Sequence, residues 1–122
     1  MTIYEQPHAG SFLLSIDDDG NLSRDNIVVK SGEGVLQPGA VLGKITASGK
    51  YVLRDAAAND GSQVAAGVLF SKIDATSADT PAVLVARHAE VRGSALIWKS
   101  GASDANKASG LLELKAATVV AR

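Results

Sequence analysis

The chain has no cysteine, which excludes disulfides, zinc–thiolate centres and thiol nucleophiles. Aromatic residues make up only 4% of it, so its core must be built from small side chains that each bury modest area. Oligomerisation would supply further burial. An excess of either charge is also lacking: 12 Lys and Arg face 13 Asp and Glu. That balance argues against nucleic acid, which needs a basic footprint, and against an anionic membrane surface. No apolar run approaches the ~20 residues needed to span a bilayer. The opening Met1-Thr-Ile-Tyr-Glu has neither a basic region nor an apolar one, so no signal peptide is expected. The expectation is a soluble intracellular protein, or part of a particle assembled inside a cell. The 122 residues suit one domain, large enough to fold without staples.

What is present reads as short strands between glycine-rich turns. Residues 1–26 differ from the rest: they carry Pro7, His8 and Gly10, a short apolar run at Ser11–Ile16 and the polar stretch from Asp17 to Asn21. Few of these residues offer themselves to a core, so the segment reads as an extended or loosely held N-terminal arm. The alternative is an ordinary edge strand formed by Phe12, Leu13 and Leu14. The remaining residues, 27–122, read as a β-rich domain. Ile27–Lys30 is β-branched, and Pro38-Gly39 suits a type II turn. Ala40–Thr46 and Tyr51–Arg54 form strands about a hairpin turn at Ala47–Lys50. Val64–Ile73 reads as one long strand. The stretch Ala82–Trp98 reads as two strands: Ala82–Arg87 is β-rich, His88–Arg92 alternates polar and apolar side chains, Gly93-Ser94 breaks the run and Ala95–Trp98 closes it; Thr118–Ala121 reads as a final strand. Ser103 can cap a helix, in which Gly110 is a weak point. The fold class is therefore mostly β with a short C-terminal helix, a pattern that suits compact, mainly antiparallel folds.

Candidate chemistry fails on spacing. Asp17, Asp19, Gly20 and Asn21 mimic the start of a calcium loop, but the position that should close the oxygen shell is Val28. The run from Gly39 to Thr46 has three residues between its glycines, and Ile45 follows Lys44. A phosphate loop needs four residues there and a hydroxyl after the lysine. Gly32-Glu-Gly34 lacks the third glycine of a dinucleotide fingerprint. His8 and His88 are too far apart in sequence to suggest a metal pair, and no Gly-x-Ser-x-Gly elbow accompanies them. No catalytic, cofactor or metal site is expected, and an assembly role is the better reading.

The stretches VLGKITASGKYV, DGSQVAAGVLFSKIDAT and PAVLVARHAEV between Val41 and Val91 resemble the bacteriophage head decoration protein family, of the lambda protein D type. The most telling piece is Asp60-Gly-Ser-Gln-Val-Ala-Ala-Gly-Val-Leu69. The Ser103-Asp104 helix start and the β-branched end are similar too. The resemblance rests on order and spacing over residues 36–122, and more loosely on the SFLLS and SRDNIVV stretches. It implies a β-clip-like domain with a small helical part and a flexible N-terminal arm, residues 1–26, that orders on the capsid. It implies a homotrimer at three-fold positions on the outer surface of the expanded head, cementing the major capsid protein lattice against packed DNA. Direct contact with nucleic acid or membrane is not implied. The chain would sit in the host cytoplasm before assembly and on the virion afterwards. An arm of this kind can add a strand to a capsid edge, with Ile3, Tyr4, Phe12, Leu13 and Leu14 as capsid contacts. Trp98 is a candidate for the trimer or capsid interface, or else a core residue.

Two rivals stand beside this reading. The Val28–Leu42 segment faintly resembles the turn-rich half of lipoyl or biotinyl carrier domains, with Lys50 at a hairpin tip but mismatched flanks. A small enzyme or sugar-binding domain would instead require a concave pocket with convergent polar groups.

Overall fold

The computed structural model describes residues 9–16 and 22–122. Its strands are β1 (Leu13–Ile16), β2 (Arg24–Val29), β3 (Gly34–Leu36), β4 (Val41–Lys44), β5 (Tyr51–Leu53), β6 (Ala65–Leu69), β7 (Ile73–Ala75), β8 (Thr80–Val85), β9 (Ala89–Val91) and β10 (Val119–Ala121). Helix α1 spans Asp104–Ala116. The described residues are mostly β, with 39% strand against 15% helix.

Local chemistry sets many of these elements. Ala40 N–H donates to Gln37 O at 3.2 Å, and Gly39 between them has φ +99°. Pro38-Gly39 therefore forms the expected type II turn, in which only glycine takes the third position without strain. The Ala47–Lys50 turn joins β4 to β5, which pair antiparallel from Leu42↔Leu53 to Lys44↔Tyr51. Ser103 caps α1 by accepting from Asn106 N–H at 3.1 Å, which satisfies one of the four free amides of the first turn.

Five strands close into a barrel in the order β2-β5-β4-β6-β8. All its ladders are antiparallel except β2–β5, which is parallel and held by one rung, Val29↔Tyr51. β3 and β7 form an antiparallel pair, and β1 and β10 flank β9 in a three-stranded sheet.

Side chains alternate across a strand, and here each face meets a different core. On β4, β6 and β8 the residues Leu42, Leu69 and Leu84 point into the barrel, while Val41, Val68 and Val85 point outward. The outward residues are covered by Phe12, Leu96, Leu114, Val91 and Val119. This double burial explains why these strands read as continuous apolar runs rather than alternating ones.

The structure corrects four sequence expectations. The Val64–Ile73 run is two strands, since the chain leaves the barrel wall after Leu69 so that Ile73–Ala75 can pair with β3. Ala95–Trp98 is not a strand: Gly93–Ala95 forms a 3-10 turn, and Ile97 makes one isolated bridge to Ala40. The strand expected from His88 begins at Ala89, because His88 has a left-handed backbone, φ +51°. The fourth concerns the arm. Residues 13–16 are strand β1, paired with β9, and Arg24–Asn26 belong to the barrel. An arm reaching to residue 26 is therefore too long. Phe12 is 0% exposed, and burying an aromatic ring ties this stretch down more firmly than its polar surroundings suggested.

Candidate functional site

The N-terminal approach to the domain is built around Phe12. Its ring packs with Val41, Val68 and Val91 in the outer core. Its carbonyl accepts from Arg92 N–H at 2.7 Å. Just upstream, Gly10 N–H donates to Phe70 O at 2.8 Å, with φ +70°. A Cβ at Gly10 would press on the Phe70 ring. Arg24 lies over the same ring, 5.1 Å from its centroid, a cation–π stack that fixes the spot where the chain enters the fold.

Of the five expected contact residues in the arm, Ile3 and Tyr4 lie outside the described residues, as do His8, Asp17, Asp19, Gly20 and Asn21. Phe12 is buried and Leu13 packs partly against the core. Leu14 alone among the described three is exposed, at 46%. The structure thus divides the set into anchors (Phe12, Leu13) and a residue that faces outward (Leu14).

Trp98 is half-buried and belongs to the edge of the outer core. Its six-membered ring lies on Gly110 of α1, where any Cβ would collide with it. Gly110 is thus the flat spot that admits Trp98, not merely a weak point in a helix. Beside it Arg54, 5% exposed, crosses from the barrel to the helix. Its Nε donates to Glu113 Oε1 and to Gln63 O, both at 3.0 Å, and its guanidinium donates to Asn106 O at 2.9 Å. Glu113 also accepts from Ala65 N–H at 3.0 Å. A buried guanidinium stands only when its donors are met, and here backbone carbonyls and one carboxylate meet them. Sequence reasoning missed this latch, because neither Arg54 nor Glu113 carries a local sign of its partner.

The surface electrostatics are local. Lys99 donates to Asp55 at 2.8 Å and Lys50 pairs with Asp79 at 2.7 Å. Those lysine hydrogen bonds, helped by the amides of Ala57 and Ser31, hold both carboxyls below the usual range. Asp60 and Asp74 are lowered by the hydroxyls of Ser62 and Thr76. At one end of the barrel Arg87 grips Asp25 through two bonds, 3.1 and 2.6 Å. Nearby Tyr51 is raised, mainly by burial and then by the Asp25 charge, with Arg87 opposing. His88 N–H donates to Thr118 Oγ1 at 3.0 Å, and Thr118 too is left-handed, φ +65°.

The Gly39–Thr46 run is a turn leading into barrel wall, and Lys44 ends strand β4. Lys50, the lysine of the carrier reading, is engaged by Asp79. Among the described residues no three of His, Cys, Asp or Glu gather as a metal would require, and no helix is long and apolar enough to cross a membrane.

Comparison with known proteins gives one finding. The family model for bacteriophage lambda head decoration protein D matches residues 2–119. No curated protein matches the chain.

Proposed function

Because the chain belongs to the bacteriophage lambda head decoration protein D family, a structural family of the phage capsid that associates with the major capsid protein, we propose that it binds the expanded head as a homotrimer at three-fold positions. There it holds neighbouring capsid subunits together on the outer surface against the pressure of packaged DNA. It performs no catalysis, contacts neither nucleic acid nor membrane, and waits in the host cytoplasm until heads expand. The observation that carries this reading is the family match along residues 2–119.

The architecture suits such a role. A cement protein must transmit load without yielding, and strands β4, β6 and β8 are packed on both faces. The N-terminal segment, with Ile3 and Tyr4, and the neighbouring Leu14 supply the capsid contact. Phe12 and Leu13 anchor that segment to the domain. Backbone hydrogen bonds to a capsid strand give affinity, ordering the segment costs about 1–2 kcal/mol per residue, and three arms per trimer raise avidity by roughly 10²–10⁴. Trp98 lies at the seam between α1 and the barrel, where it contacts the trimer partner or the capsid through its exposed edge.

The test is binding to expanded and unexpanded heads, read by sedimentation and by imaging of density at the three-fold positions. The full chain should bind expanded heads only, and a chain lacking residues 2–8 should lose most of that binding. Equal binding by the shortened chain would overturn the arm assignment. A monomer by light scattering both free and on heads would overturn the trimer.

A further inference from the structure

The Arg54 latch leaves part of its guanidinium over. Nε donates to Gln63 O and Glu113 Oε1, and Nη1 donates to Asn106 O. Nη2 has no partner among the described residues. It is not sealed in either: the one fully buried side-chain nitrogen or oxygen without a partner there is Gln37 Oε1. Beside the guanidinium lies a cavity of about 200 Å³, lined by Arg54, Asn106, Trp98 and the alanines 56, 57 and 102 among others. Gln63 and Glu113 do not line it, whereas Asn106 does. The guanidinium therefore enters the cavity with its Nη end, and the N–H groups of Nη2 open into it. Two turns frame the mouth. In one, Ala58 N–H donates to Asp55 O and Ala57 N–H to Asp55 Oδ1, both at 3.0 Å; in the other, Ala102 N–H donates to Lys99 O at 3.0 Å. The Lys99–Asp55 ion pair, 2.8 Å, staples the two turns together. The cavity is thus shaped before anything enters it, and such pre-organisation lowers the cost of binding.

Charge and size select what fits. Arg54 is already paired with Glu113 and Lys99 with Asp55, and the other residues that line the cavity are uncharged. A carboxylate would add a buried charge while both cations are taken. A neutral carbonyl oxygen accepts from Nη2 without that cost, and a hydrogen bond from an ionised donor is among the strong ones. A cavity of about 150 Å³ takes benzene, so this one has room for an amide and a small apolar group. We propose that the cavity is a socket for a peptide segment of the major capsid protein, with a main-chain carbonyl on Arg54 Nη2 and a small apolar side chain beside Trp98. Trp and Arg are enriched among the side chains that anchor interfaces, and here the two sit together on Gly110. That the segment comes from the capsid rests on the reading above; the amide chemistry of the socket does not.

The test begins with the free full-length protein and a small probe, so that its outcome does not depend on capsid binding. Titration with N-methylacetamide should shift the Arg54 Nε–H and Trp98 indole resonances saturably, Trp98 being the sole tryptophan. Acetate, similar in size but charged, should bind at least about tenfold more weakly. Ala102→Leu fills the cavity from one turn and Ala57→Leu from the other; Ala57 is exposed, so its variant keeps the fold. Both should lose the response to the probe at an unchanged melting temperature. Unmoved resonances, acetate binding as well as the amide, or a filled variant that still responds would each overturn the socket. The second arm uses expanded heads, to which the filled variants should bind about tenfold more weakly than the wild-type chain. Binding of wild-type strength would overturn the capsid protein as occupant. So would loss of the free trimer in the filled variants by light scattering, which would place a second copy in the socket. Failure of the wild-type chain itself to bind heads would remove the capsid reading and leave the amide result standing.

Discussion

The two cores of this molecule are built from the chain in different ways. The buried residues of the barrel core lie between Ile27 and Leu84 and are all Ile, Val, Leu or Ala, with Tyr51, Leu53, Ile73 and Ala86 packed against them. The outer core gathers pieces from both ends: Phe12 from the N-terminal side, Leu114 and Val119 from the C-terminal side, laid on the backs of β4, β6 and β8. The first core is held by close packing of small side chains. The second adds an aromatic anchor, a tryptophan seated on a glycine and the buried Arg54–Glu113 pair. The difference teaches where specificity is needed. A closed barrel has few alternative arrangements once its strands pair, whereas a helix and two end strands brought from afar need directional contacts to dock in one way. Since β1 and β10 both flank β9, the same docking also places both ends of the described chain on one sheet.

The comparison can be broken at its anchors. Phe12→Ala should cost about 3–5 kcal/mol, against about 2–5 kcal/mol for Leu42→Ala in the barrel. Denaturant titration gives the totals, and amide exchange separates the two. The Phe12 variant should release β1 while β6 stays protected, and the Leu42 variant should weaken all strands together. If Phe12→Ala opened the barrel first, the two cores would not be separable. Next in size is Arg54→Met, expected to cost about 2–4 kcal/mol because it takes the guanidinium from the Glu113 carboxylate and from the Gln63 and Asn106 carbonyls. The loss should appear as faster exchange in α1.

Gly110→Ala sharpens the picture. Helix propensity alone favours alanine by about 1 kcal/mol, so a net loss of about 1–2 kcal/mol measures the collision with Trp98. Trp98→Leu in the same chain should recover part of it. A smaller effect is expected in acid. Asp55, Asp60, Asp74 and Asp79 all have lowered pKa values, so the unfolded chain binds protons first as pH falls. The stability they contribute is fully present above the unfolded value of about 3.9 and is lost as pH drops through the lower folded values. A thermal melting series from pH 6 to pH 2 should therefore decline only in its acidic part. The smallest effect belongs to Leu112→Lys. Leu112 is 69% exposed, and the free protein should change by less than about 0.5 kcal/mol.

Much of the fold was legible in the sequence because its signals are local. Pro38-Gly39, the Ala47–Lys50 turn, the Ser103 cap and the β-branched end each act within a few residues, and all appear where their chemistry puts them. The interaction surface was less legible. SFLLSI shows that a strand is possible, but not that Phe12 faces Val41 and Val68 while Leu14 faces outward; a bulge between Leu13 and Ser15 alters the alternation. Nothing near Arg54 announces Glu113, and nothing in Ile27–Val29 shows that β2 meets β5 at a single rung.

By itself the sequence determined the β character, the single helix among the described residues, the turns and, through order and spacing, the family. These follow from torsional preference, capping and hydrophobic period, which act along the chain. Only the tertiary structure decided that Phe12 is an anchor, that Gly110 is a seat for Trp98, and that the barrel closes through one rung at Val29 and Tyr51. Those facts depend on which distant segments share a surface. That is set by the register and shear of the closed barrel, which no short stretch of sequence contains.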